Sequence, residues 1–343
     1  MADSTTPADR TIDVFAVGNA LMDVQARVPE GLPAEVGFEK GVMTLADDEK
    51  QAAVLARLAQ LEGGDISRCP GGSAANTVMG LVDFGGTGAY ACKTADDEIG
   101  RQYLGEMQQL GVKTPVPAIP GAQTGTSVIL ITPDAERTML TNLAASATLS
   151  ADDIEAAGDL IAQSQWVYLE GYLFSGEPTK SAALRVVELA RQHGTPVAFT
   201  MSDPFMVAGF KDDFTKLIES SVDLLFCNLE EARAMTGEDD AMACAAALHE
   251  RCDRVALTLG GDGSLLMADG VATAIDGVAC EAIDTTGAGD MYAAGVLYGL
   301  TSDLGWEAGG RLASAAAARV VSQLGARLQT PFTPDEVAAA AAG

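Results

Sequence analysis

Short apolar runs separated by amphipathic segments constrain what this chain can fold into more than any other feature. Ile12 to Val17, Ala89 to Lys93, Trp166 to Leu169, Val197 to Thr200, Asp223 to Cys227 and Val255 to Leu259 read as strands. Ala74 to Val82, Pro178 to His193 and Asp212 to Ser220 read as helices between them. Strands alternating with helices predict an α/β fold with a doubly wound, mostly parallel central sheet flanked by helices. Two stretches break the rhythm, Val24 to Leu45 and Lys113 to Asn142, rich in β-formers, Pro and Gly. They predict a small β lid. No linker-like stretch divides the chain, so the expected organisation is a main domain of residues 10–23, 46–112 and 143–343 with a lid of 24–45 and 113–142 inserted in two pieces. The alanine-rich tail after Pro334-Asp335-Glu336 predicts a short last helix.

Composition narrows the partners. With 343 residues, 48% of them apolar, the chain can bury a sizeable core. Its formal charge of −27 excludes nucleic acid and anionic membrane as partners, because both require basic patches. The same charge repels a polyanion, so a nucleotide site needs backbone N–H groups, magnesium and a few arginines. The polar first ten residues lack the basic start and apolar run of a signal peptide, which leads to the expectation of a cytoplasmic protein. The six cysteines are scattered without a C-x-x-C pair, so neither a disulfide nor a zinc site is expected. His193 and His249 lie in helical patterns with no nucleophile motif nearby, which argues against a hydrolase.

Two glycine clusters carry the chemistry. Asp284-Thr285-Thr286-Gly287-Ala288-Gly289-Asp290 runs straight into the small-residue helix Met291 to Leu300. Glycines there let the backbone approach an anion, and the helix N-terminus stabilises charge on a transferred phosphoryl group. Asp290 at the helix entry can take a proton from a substrate hydroxyl, or serve as an ordinary N-cap. The second cluster, Gly71-Gly72-Ser73-Ala74-Ala75-Asn76, lets a ligand lie against the backbone and offers the amide of Asn76 to a polyol. Beside Asn19 at the end of the first strand, Asp23 can accept hydrogen bonds from vicinal hydroxyls or simply shape a turn.

Strand ends on the other side suit a nucleotide. Asn228 and Glu231 stand three apart at a helix start, where they can order waters on magnesium or form a reciprocal cap. The later strand ends in Thr258, Gly260, Gly261 and Gly263, a turn or a surface for phosphates and adenine. Arg137, in the expected lid of a very acidic chain, can reach over the phosphates or form a surface salt bridge.

GGSAAN at Gly71 to Asn76 and DTTGAGD at Asp284 to Asp290 resemble the two signatures of the ribokinase-like (PfkB) carbohydrate kinase family, over nearly the whole chain. Walker A is absent, as the resemblance requires. Gly18 to Asp23, Thr124 to Ser127, Arg137 to Ala145, Gly171 to Leu173 and Ser202 to Phe205 are similar to the adenosine kinase branch of that family. The resemblance implies an ATP-dependent kinase with Asp290 as base, the Gly287, Ala288 and Gly289 backbone as anion hole, and Arg137 on the moving phosphate. It implies a ribose held by Asn19, Asp23, Gly71, Gly72 and Asn76, and an aglycone covered by Met43, Ser127, Met139, Leu143, Tyr172 and Phe205. Mg2+ would accompany ATP through water near Glu231, with Asp284 and Ser322 as candidates around a monovalent cation such as K+. The expected reaction is phosphorylation of the 5′ hydroxyl of a ribonucleoside, adenosine to AMP. Ser127, Glu170 and Asp203 are more polar than that branch, which keeps open another nucleoside or a sugar such as ribose or fructose. A catalytically silent relative would show damage to the base or the glycines, and neither is seen. Either a monomer or a lid-mediated homodimer is compatible with the sequence.

Overall fold

The computed structural model describes residues 10–61, 66–134 and 136–343. Residues 1–9, on which the expectation about a targeting segment rests, lie outside them. Among the described residues the strands are, in chain order, β1 (Ile12–Val17), β2 (Leu21–Arg27), β3 (Met43–Leu45), β4 (Ile66–Gly71), β5 (Gly88–Ala91), β6 (Gly125–Ile131), β7 (Arg137–Asn142), β8 (Ser164–Glu170), β9 (Val197–Thr200), β10 (Leu224–Asn228), β11 (Arg254–Thr258), β12 (Ser264–Ala268) and β13 (Val271–Ile275). They form an eight-stranded sheet, β13-β12-β11-β10-β9-β8-β1-β5, and a five-stranded sheet, β3-β7-β6-β2-β4. Pairing in the large sheet is parallel from β5 to β11 and antiparallel at β12 and β13. No helix among the described residues is long and apolar enough to cross a membrane.

Strands covered on both faces read as continuous apolar runs, and β1 and β8 show why. Phe15, Val17, Val167 and Leu169 join one core cluster, whereas Val14, Ala16, Trp166 and Tyr168 join the cluster on the other face. The second cluster includes helices Ser73–Asp83 and Ala288–Thr301, which approach closely because Gly80 faces Met291; a Cβ there would lie 2.8 Å from the Met291 sulfur. Helix Trp306–Val321 packs behind, with Gly295 against Ala313. This close packing places the starts of the first two helices side by side at the carboxyl ends of the strands, where α/β sheets bind ligands.

The smaller sheet buries Val24, Ala26, Val128, Leu130 and Leu140 against Val54 and Leu58 of helix Asp48–Leu58. Its opposite face, carrying Asp23, Gln25, Ser127, Ile129, Met139 and Thr141, is turned to the strand ends of the large sheet. This sheet is wider than the two expected pieces: it begins at Leu21 and takes in helix Asp48–Leu58 and β4, both assigned above to the main domain. The strand β4 escapes a hydrophobic reading because Ile66, Ser67 and Arg68 are exposed and Pro70 occupies an edge position.

Candidate active site

The N-cap of helix Ala288–Thr301 is Gly287, not Asp290. Asp290 is the third residue of the helix, and its carboxylate is held from the neighbouring helix. Ser73 Oγ donates to Asp290 Oδ1 at 2.6 Å and Asn76 Nδ2 donates to Oδ2 at 2.9 Å. Burial pushes the Asp290 carboxyl above its ordinary value, and the two donors only partly oppose that. The other end of the Asn76 amide, Oδ1, is buried without a partner among the described residues. Asp290 as a residue is half-buried, not sealed off from solvent. A partly desolvated carboxylate oriented by two donors is suited to accept a proton.

Beside it lies an uncapped helix end. No side chain caps this helix, and the first-turn N–H groups of a helix have no partner within it. Gly287 has a φ of +75°, and a Cβ there would meet the Ala326 carbonyl oxygen at 2.4 Å, so only glycine makes this turn without strain. A Cβ on Gly289 would meet nothing within 4 Å. Space, free N–H groups and the positive end of a 14-residue helix together form an anion site.

Arg137, at the start of β7, reaches down from the lid onto this loop. Its Nη1 donates to Thr286 Oγ1, its Nη2 to Thr285 Oγ1 at 2.9 Å, and its Nε lies 3.3 Å from Asp284 Oδ1. Asp284 is buried, and its Oδ2 accepts from the Gly325 N–H at 2.8 Å. The small sheet is therefore tied to the glycine loop through an arginine.

Asp23 supplies the third carboxylate. It is 6% exposed and no described residue donates to it. Burial first, then the charges of Asp290 and Asp284, push its carboxyl up to about 7 against the opposing effect of Arg137. Gly71 makes room for it, since a Cβ there would lie 2.3 Å from Asp23 Oδ2. At Gly72, where φ is +100°, a Cβ would strike the Asn19 carbonyl oxygen at 2.2 Å. Across the sheet Asp23 stands in register with Ser127, whose hydroxyl pairs with Thr141 at 3.0 Å. Met43 and Met139 are paired in β3 and β7, both half-buried.

The model of the pfkB family carbohydrate kinases matches residues 43–333 of the chain. The chain belongs to the pfkB family. It is a phosphotransferase that acts on a hydroxyl group. The solved structure of adenosine kinase from Sinorhizobium meliloti is 34% identical, superposes with a TM-score of 0.88, and covers 97% of this chain and 100% of its own. Adenosine kinase of Saccharomyces cerevisiae is 23% identical over 85% of this chain and 89% of its own length. Fructokinase of Klebsiella pneumoniae is 28% identical over 70% and 79%. This pfkB kinase is thus similar to both nucleoside and sugar kinases, and its acceptor has to be argued from the site.

Several expected residues sit differently from the sequence reading. Asn19 is buried with its amide engaged: Nδ2 donates to Glu170 Oε1 at 2.8 Å, and Oδ1 accepts from Ser146 Oγ at 2.9 Å. Phe205 is 74% exposed. Tyr172 and Leu143 are half-buried, the Tyr172 hydroxyl lying 3.4 Å from the Ser202 carbonyl oxygen. Asn228 and Glu231 form the reciprocal cap of helix Leu229–Thr236, with Oδ1 of Asn228 accepting from the Glu231 N–H at 2.8 Å and Glu231 Oε2 accepting from the Asn228 N–H at 3.1 Å. Burial pushes the Glu231 carboxyl up to about 7. Thr258 ends β11, and the glycine turn after it has left-handed φ values at Gly260 and Gly263. Ser322 turns its hydroxyl back onto the Ala318 carbonyl of its own helix, at 2.8 Å, and away from Asp284.

Glu170 is the residue that sequence reasoning left without a role. It is 1% exposed, and it accepts from the Asn19 N–H at 2.9 Å and from the Ala74 N–H at 2.8 Å, capping helix Ser73–Asp83 from outside. Desolvation pushes its carboxyl up to about 7. One signal existed: an acid closing the otherwise apolar strand Trp166-Val167-Tyr168-Leu169 is costly unless something needs it there.

Proposed function

We propose that this pfkB kinase phosphorylates the 5′ hydroxyl of adenosine from ATP. The observation that carries the reading is the composition of the lid face. Beyond Asp23, which suits a ribose diol, the lid presents Met43 and Met139 side by side, a soft apolar surface that suits a flat base. Similarity to the Sinorhizobium meliloti adenosine kinase over nearly the whole chain supports the same choice.

Asp290 takes the proton of the hydroxyl as its oxygen attacks the terminal phosphorus of ATP, and the bond to the bridging oxygen of ADP breaks. The N–H groups after Gly287 and the guanidinium of Arg137 hold the charge on the phosphoryl oxygens. Asn76 and Ser73 orient the base, and Asp23 aligns the ribose. ATP lies along Thr258 and the turn of Gly260, Gly261 and Gly263. Among the described residues no cluster of three acidic, histidine or cysteine side chains could hold a metal by itself. Magnesium would arrive with the phosphates, and Glu231 and Asn228 are the side chains that would hold it through water. It supplies charge neutralisation on the phosphates when bound. A monovalent cation would rest on backbone carbonyls near Asp284 and Ser322.

A sugar acceptor is the second reading, favoured by the buried Asp23 carboxylate, to which no described residue donates, and by the similarity to fructokinase of Klebsiella pneumoniae. ADP release on a panel of nucleosides and sugars with Mg2+, with and without K+, separates the two. Adenosine is expected to give the highest kcat/KM, and a preference for fructose or ribose over every nucleoside would replace the first reading by the second.

A further inference from the structure

Glu170, buried at the end of β8, takes no part in the scheme above. Its two oxygens accept three N–H groups: Oε1 takes the backbone N–H of Asn19 at 2.9 Å and the Asn19 Nδ2 at 2.8 Å, and Oε2 takes the Ala74 N–H at 2.8 Å. Gly18 leaves room for it, since a Cβ there would lie 2.6 Å from Glu170 Oε2. A carboxylate that is 1% exposed and filled in this way is committed inside the protein. Burying a charge is unfavourable unless its partners hold it, so the partners show what it does. Ala74 is the second residue of helix Ser73–Asp83, whose N-cap Gly72 has no side chain to offer. Ser73, next to Ala74, and Asn76, two residues on, are the two donors to Asp290. The network also runs towards the lid. Asn19 Oδ1 accepts from Ser146 Oγ at 2.9 Å, and Ser146 Oγ accepts the Ala20 N–H at 3.1 Å, in the turn Ala144–Thr148 that follows β7.

We infer that Glu170 is a positioning residue for the phosphoryl transfer, fixing the first turn of helix Ser73–Asp83 so that Ser73 and Asn76 hold the Asp290 carboxylate in one orientation. The inference rests on the reading of Asp290 as the base. A helix start without a cap leaves its first N–H groups unpaired, and an anion there stabilises the turn. Two side chains projecting from that turn then keep their place. Transfer rates are sensitive to displacements of about 1 Å at the reacting groups.

The test is a double-mutant cycle made from Glu170→Gln, Ser73→Ala and the pair, with ATP turnover on adenosine and on fructose and the urea midpoint of each chain. It is run at pH 8, above the value of about 7 to which burial pushes the Glu170 carboxyl. Glu170→Gln keeps the shape but turns an NH2 group onto an N–H. It is expected to lower kcat about 10- to 100-fold, with acceptor KM changed less than about threefold. In the Ser73→Ala background the same substitution should cost at least about threefold less, because one of the two donors it positions is already gone. A carboxylate that only stabilises the fold would give equal losses in both backgrounds, and that result overturns the inference. So does an unchanged kcat with a raised acceptor KM, which would make Glu170 a contact of the acceptor. If Glu170→Gln does not fold, Glu170→Asp, which keeps the charge and withdraws it by one methylene, enters the same cycle with the same expectations. Asp290→Asn runs alongside: if it stays active, the reading of the base fails and the inference with it, whereas an inactive Asp290→Asn beside a fully active Glu170→Gln removes Glu170 alone.

Discussion

Asn76 Nδ2 donates to Asp290 Oδ2 at 2.9 Å across 214 residues of chain, so that the amide of one glycine-led helix orients the carboxylate of another. Its remaining oxygen is buried and has no partner among the described residues.

Replacing Asp290 by Asn tests the base. The variant keeps shape and both helix contacts but cannot accept a proton. Turnover is expected to fall about 10²- to 10⁴-fold, with acceptor affinity by calorimetry nearly unchanged. Near-parent turnover would remove Asp290 from the mechanism.

The raised carboxyls give a defined pH dependence. Asp23 titrates near 7 in the folded protein, so acceptor KM should rise as pH falls through 7 and the carboxylate stops accepting hydrogen bonds. Because the base is also held above its ordinary value, kcat should fall on the acid side at a higher pH than an exposed aspartate would give. Profiles of kcat and kcat/KM between pH 5 and 9 decide this, and a flat kcat/KM across that range would refute it.

Stability should move the opposite way. The carboxyls of Asp23 and Glu170 are each pushed up to about 7 in the folded chain, above their ordinary values of 3.8 and 4.5. The folded state therefore holds these protons more tightly. Their contribution is fully present below about pH 4 and is lost as pH rises towards 7. Asp23→Asn removes a buried charge, and at pH 8 it should stabilise the chain by roughly 1–3 kcal/mol in urea unfolding while weakening acceptor binding. A loss of stability at pH 8 would count against the assignment.

Arg137 meets Asp284, Thr285 and Thr286 through three nitrogens at once. Lysine is a point charge without that fork. Arg137→Lys is expected to cost on the order of 10²- to 10³-fold in kcat, comparable to losing one donor to developing charge. Steady-state kinetics with saturating ATP measures it, and a change confined to ATP KM would reduce Arg137 to a binding contact.

Gly287→Ala combines a left-handed backbone with a Cβ 2.4 Å from the Ala326 carbonyl. The strain alone is about 1–2 kcal/mol, and the clash must displace the loop behind it. Both the urea midpoint and turnover should drop. An active variant of parental stability would show that the turn tolerates a side chain.

Legibility in the sequence followed the range of the interaction. Strands such as Val197–Thr200, and the glycine turn before Met291, were readable because apolar runs and turn chemistry act over a few residues. The extent of the lid was not: β4 is polar on its exposed side, and helix Asp48–Leu58 joins the lid only through burial of Val54 and Leu58. Asn228 and Glu231 were legible both as a cap and as a metal-side pair, and the local hydrogen bonds form the cap.

By itself the sequence determined the alternation of elements, the glycines that shape two helix starts, and the aspartate in the first turn of the second. Only the tertiary structure decided that Asp290 lies within its helix and is held by Ser73 and Asn76, that Arg137 closes on Asp284, Thr285 and Thr286, and that Glu170 caps the other helix. These contacts join residues that are 96 to 217 positions apart. Their geometry comes from how closely three small-residue helices pack, and no local pattern encodes that distance.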